Sequence, residues 1–122
     1  MYSIKIDKAN SLVNVALTGM MGLPEVAAYI AELKRQFVAQ RLHDYAMVID
    51  VTDMPIQSQD TITAMGEHMA SMPKARALAV VTGRSLARMQ VRRLFKQPYC
   101  RVTSTVAEGV SWVLRGVEPT TQ

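Results

Sequence analysis

Hydrophobic and polar positions alternate with a period of two at the start of the chain. Tyr2, Ile4 and Ile6 alternate with Ser3, Lys5 and Asp7, the pattern of a strand buried on one face. Lys8-Ala9-Asn10-Ser11 supplies turn residues, and a second run over Leu12–Thr18 puts Val13, Val15 and Leu17 on one side. Two such runs around a short polar turn predict a hairpin. The period then changes. Pro24 suits the first turn of a helix, where its missing N–H costs nothing. Val26, Ile30, Leu33 and Phe37 form one helical stripe that ends near Arg41, so the first helix buries a single face.

Tyr45-Ala46-Met47-Val48-Ile49 is a continuous apolar run closed by Asp50, as expected of a strand covered on both faces. Pro55 marks the following loop, and Ser58 or Asp60 can cap a second helix. Ile62, Met65, Met69 and Met72 stripe that helix and Pro73 stops it. Ala77-Leu78-Ala79-Val80-Val81 is another buried strand, broken by Thr82-Gly83, and a third helix is expected from Ser85 to Lys96, ahead of Pro98. Cys100–Thr103 reads as a short strand. Thr105 and Glu108 form a capping box for a last helix carrying Val106, Val110, Val113 and Leu114, with Gly116 placed to end it. The order ββαβαβαβα predicts one α/β domain over residues 1–116, with a mixed, mostly parallel sheet and right-handed crossovers. Residues 117–122 read as a flexible tail.

Composition narrows the class. Of 122 residues, 49% are hydrophobic and 20% charged, a globular balance that argues against disorder. No stretch approaches the ~20 apolar residues of a membrane span, and the first seven residues lack the apolar core of a secretory signal. The single cysteine, Cys100, cannot make an internal disulfide, which fits a reducing compartment. A soluble cytoplasmic protein is expected.

Net charge is +4 but unevenly spread: residues 1–67 hold five Lys/Arg against eight Asp/Glu, and residues 68–107 hold eight Lys/Arg and no acid. Such a split marks either an anionic partner or two halves that neutralise each other. On the third helix Arg84, Arg88, Arg92 and Lys96 recur every four residues, with Arg93 beside them. Like charges at that spacing oppose one another by roughly 0.2–0.5 kcal/mol per pair. This ridge is either solvated and paired with acids such as Asp53 or Glu67, or a surface for phosphate, an anionic lipid head or an acidic protein. No aromatic residues interleave with the arginines, which argues against single-stranded nucleic acid.

The element order and four stretches of sequence resemble a known family. These are Leu17-Thr18-Gly19, Met47-Val48-Ile49-Asp50, Ala77-Leu78-Ala79-Val80-Val81, and Arg101-Val102-Thr103 with Ala107-Glu108-Gly109-Val110-Ser111-Trp112-Val113-Leu114. Together they resemble the STAS-like fold of anti-sigma-factor antagonists. The SpoIIAA-like bacterial branch, which shares its superfamily with CRAL-TRIO lipid-exchange domains, is the nearest likeness. The resemblance implies a regulatory domain that works through protein contacts, with a phosphorylatable Asp-Ser-Ser/Thr-Gly segment where the mid-chain strand meets its helix. Here that region reads Ile56-Gln57-Ser58-Gln59-Asp60-Thr61, without the preceding acid or the glycine, and Ser58 is the nearest equivalent of the switch.

The candidate chemistry is sparse. Asp50, Thr52 and Asp53 follow a buried strand, where open α/β sheets tend to bind ligands, but an Asp-x-Asp phosphotransferase pair would need an acid at Thr52. His43, His68 and Cys100 are the only soft ligands and lie on separate elements, short of the four that structural zinc usually takes. Thr82, Gly83, Arg84, Ser85 and Arg88 offer an anion site: a glycine that lets backbone approach, a hydroxyl, and two guanidinium groups at a helix start. Gly19-Met20-Met21-Gly22-Leu23 is an apolar loop suited to a subunit contact. The sequence therefore predicts a non-enzymatic binding or regulatory domain without metal or cofactor. It is expected to be a homodimer that meets a regulatory protein or a small anionic or lipid-like ligand. The alternative is an enzyme whose site is assembled from scattered residues at the strand C-terminal ends.

Overall fold

A computed structural model describes residues 1–83 and 88–119. Strands β1 (Tyr2–Asp7) and β2 (Leu12–Leu17) form the opening hairpin, joined by a 3-10 turn over Lys8–Asn10. The Asp7 carboxylate accepts from the Asn10 backbone and side-chain amides, so the turn is held by its own polar residues. Then follow α1 (Leu23–Gln40), β3 (Ala46–Asp50), α2 (Gln59–Ser71), β4 (Ala77–Val81), α3 (Arg88–Leu94), β5 (Cys100–Thr103) and α4 (Val106–Arg115). The strands stand in sequence order, β1-β2-β3-β4-β5. β1 runs antiparallel to β2, and every later pairing is parallel. This is the α/β fold and element order that the sequence predicts.

Strand alternation divides the core in two. One face carries Val13, Val15, Leu17, Met47, Ile49, Leu78 and Val80, and packs on Val26, Tyr29 and Leu33 of α1, Met65 of α2 and Val91 of α3. The three crossover helices thus share one side, as strands laid down in sequence order with crossovers of one hand require. The other face carries Leu12, Ala46, Val48, Ala77, Ala79 and Val81 against Val113 of α4. Its alanines let that helix sit close. A Cβ added to Gly109 would lie 3.2 Å from the Ala79 Cβ and 3.3 Å from Val81 Cγ2.

The caps explain where the helices begin. Ser58 caps α2, and Thr105 and Glu108 form the expected capping box on α4. The third helix ends sooner than its pattern predicts: its described part covers Arg88–Leu94, stopping short of Lys96, and residues 84–87, with its expected start, lie outside the described residues. Phe95 still donates to the Val91 carbonyl, but Pro98 disfavours helical geometry at the residue before it, and Lys96 falls past the helix end. After α4, Arg101 lies over the Trp112 ring and makes a two-pronged ion pair with Glu118, which holds Glu118 against β5. Among the described residues no helix is long and apolar enough to cross a membrane.

Candidate functional site at the C-terminal edge of the sheet

Parallel strands deliver their following loops to one edge, the usual place for ligands in open α/β sheets. Here the loops after β2 and β3 and the start of α3 are drawn together by Gln57. Its side-chain oxygen accepts from the Met21 N–H at 2.9 Å, and its amide nitrogen donates to the Gly19 and Pro55 carbonyls. Its backbone exchanges two hydrogen bonds with the side chain of Gln90. Thr61 adds a third tie, donating to the Met21 carbonyl at 2.6 Å. Gln57 and Thr61 are buried, so each bond replaces water that cannot reach it.

Below this network lies a cavity of ≈ 40 Å³ walled by Met21, Met54, Met65, Leu94, Phe95 and neighbours. The wall's polar residues are spent on one another: the amides of Gln57 and Gln90 and the Thr61 hydroxyl already have partners. Above the network, three large apolar side chains point outward. Met20 is 59% exposed, Ile56 55% and Met89 68%, and each is next in sequence to a residue that Gln57 or Gln90 holds. Met21, in contrast, is only 2% exposed. The apolar loop expected as a subunit contact is therefore split, with Met21 turned into the chain's own core.

The sequence-derived candidates fall near this edge with different fates. Asp50 caps a turn, its carboxylate accepting from the Thr52 N–H at 3.0 Å and the Thr52 hydroxyl at 2.6 Å. A Cβ on Gly83 would come within 2.8 Å of Thr52 Cγ2, and Gly83 has φ +53°, so the turns after β3 and β4 touch. Thr82 is fully buried and donates its N–H to Thr103. Asp53 is exposed, and its backbone carbonyl accepts from Gly19. Arg88 is half-buried at the start of α3. Arg84 and Ser85 lie outside the described residues. Ser58 is exposed, with its hydroxyl accepting from the Thr61 N–H and bonded to the Thr61 hydroxyl at 3.2 Å.

The soft ligands stay apart. Cys100 is buried, and desolvation pushes its thiol up to about 12 against the lesser pull of Arg101, so it holds its proton at neutral pH. His68 is 4% exposed, with both ring nitrogens unbonded and its ring edge-on to Tyr29. His43 is exposed. Among the described residues no three of His, Cys, Asp and Glu come together.

The Gln57 hub escapes sequence reasoning because a single glutamine in a loop has no period to betray it. His68 was within reach, since Thr61, Met65 and His68 follow helical spacing. Compared with protein-family models and with curated proteins, the chain finds no match.

Proposed function

We propose that this chain is a non-enzymatic binding or regulatory domain of the STAS-like, SpoIIAA-like kind, and that its working surface is the C-terminal edge of the parallel strands. The observation that carries this reading is the coincidence at one edge of an apolar cavity, a buried amide hub and the exposed side chains of Met20, Ile56 and Met89. Loops tied to a rigid scaffold are where binding residues concentrate. Three large apolar side chains left in water at one place cost free energy that a partner or ligand would recover. Ser58 is exposed at the N-cap of α2, one residue from Gln57, a position from which added negative charge would favour the helix end and alter the edge at once.

The test is a thermal-stability screen of the full chain against anionic metabolites and acyl lipids, with each mixture then analysed for product by mass spectrometry. The expected result is a ligand that stabilises the protein and is recovered intact. At 100 times its Kd such a ligand contributes about 2.7 kcal/mol, several degrees for a chain of this size. Catalytic conversion of the stabilising compound would overturn the reading in favour of an enzyme at the strand ends.

A further inference from the structure

We propose that the sheet face turned away from the crossover helices carries a second binding site, a groove for a free α-amino acid in its zwitterionic form. On that face α4 packs chiefly on β3, β4 and β5. It leaves Ser3 and Lys5 of β1 exposed and Asn14 and Ala16 of β2 half-buried. The strand register sets these residues in two rows. Ser3, Ala16 and Asp50 stand side by side across β1, β2 and β3, and Lys5 stands beside Asn14 in the next row. Together with Val106, at the start of α4, they line a groove of ≈ 190 Å³.

On the helix side of the sheet the polar groups around the cavity are spent on one another; in this groove they are open. Among the described residues the side chains of Ser3, Lys5 and Asn14 make no hydrogen bond or ion pair. Asp50 holds Thr52 through Oδ1 alone, which leaves Oδ2 turned to other partners. Directly across from Lys5 is Asn14 and not the acid that would match its charge. Two strand spacings across and two residues along put the Lys5 and Asp50 Cα atoms roughly 12 Å apart. One cation and one carboxylate therefore flank a floor kept low by Ala16, without pairing with each other.

That arrangement selects a charge pattern. A simple anion would be drawn to Lys5 and repelled by Asp50, and a simple cation the reverse. An α-amino acid satisfies both ends. Its carboxylate accepts from the Lys5 ammonium and the Asn14 amide, and its ammonium lies over Ala16, donating to Asp50 and to the Ser3 hydroxyl. Its side chain then rests against Val106. Hydrogen bonds to charged groups are the stronger kind, so losing one end should be plainly measurable.

Amide chemical-shift titrations of the full chain with each of the protein α-amino acids read the outcome. They run to about 10 mM, because exposed charge pairs add little to affinity. At least one amino acid should give saturable shifts in β1, β2 and around Asp50. Its N-acetyl derivative, which lacks the cation, and its methyl ester, which lacks the anion, should each bind at least fivefold more weakly. Lys5→Met and Asp50→Asn should weaken the free amino acid to the same degree. Both variants should keep the circular dichroism and melting curve, since Lys5 is exposed and an asparagine oxygen still accepts from Thr52. Absence of saturable shifts with every amino acid overturns the proposal. So does binding that neither variant weakens, and so does equal affinity for the N-acetyl derivative, which would leave Lys5 as a general anion contact.

Discussion

Burying His68 against Tyr29 with neither ring nitrogen bonded commits this side chain to its neutral form, since an imidazolium there would have neither water nor an acceptor. Desolvation lowers its pKa, and the positive charge of Lys34 lowers it further. Above about pH 6.5, the ordinary histidine value, folded and unfolded chains both carry a neutral His68 and nothing is lost. As pH falls through that value the unfolded chain takes up a proton that the folded chain refuses. Stability then declines by up to about 1.4 kcal/mol per pH unit until the folded pKa is reached. Urea unfolding of wild type and His68→Leu at several pH values from neutral to mildly acidic should show the steeper loss in the wild type; parallel losses would exclude His68 as the cause. The sequence shows why this residue was easy to misread. The apolar letters Ile62, Met65, Met69 and Met72 draw the eye to a stripe, yet the buried face of α2 is centred on Thr61, Met65 and His68, one residue round the helix. A hydrophobic pattern passes over a polar residue on a core face, although the spacing of Thr61, Met65 and His68 carries the signal, whereas Gln57, in a loop, has no spacing to carry one.

At the scale of elements the pattern was more legible, because caps and periods are local chemistry. Pro24 lies in the first turn of α1, the capping box is formed on α4, and Gly116 ends α4 with φ +69°. The five strands fall where alternation and apolar runs put them, with Tyr45 just outside β3. What local chemistry does not reveal is how close two elements approach. α4 depends on Gly109 facing Ala79, Val81 and Thr103 across β4 and β5. Alanine at that position would improve helix propensity by about 1 kcal/mol, but its methyl group would press on three neighbours, one of them a Cβ fixed to the central sheet. Overpacking of this kind costs typically 1–3 kcal/mol. Gly109→Ala is therefore expected to be net destabilising by about 1 kcal/mol, seen as a lower urea midpoint with an unchanged slope. A midpoint raised by the substitution would mean that α4 lifts off the sheet at little cost.

Across the whole molecule, β3 and β4 are the best protected strands. Each has hydrogen-bonded neighbours on both sides and buried residues on both faces, whereas β1 is an edge strand whose Ser3 and Lys5 face outward. Hydrogen exchange should be slowest at Met47–Ile49 and Leu78–Val80 and faster along β1; equal protection in β1 would show that this edge is covered in solution. The sequence order of the strands has a further consequence for how the protein is made. As the chain emerges during synthesis, each strand after the first finds its partner already laid down, and each crossover helix covers the same side as it arrives. Only the alanine-rich face must wait. Ala46, Val48, Ala77 and Ala79 stay bare until α4, the last described helix, has been synthesised and swings to the opposite side, so the nascent chain carries one open apolar face after the other has closed.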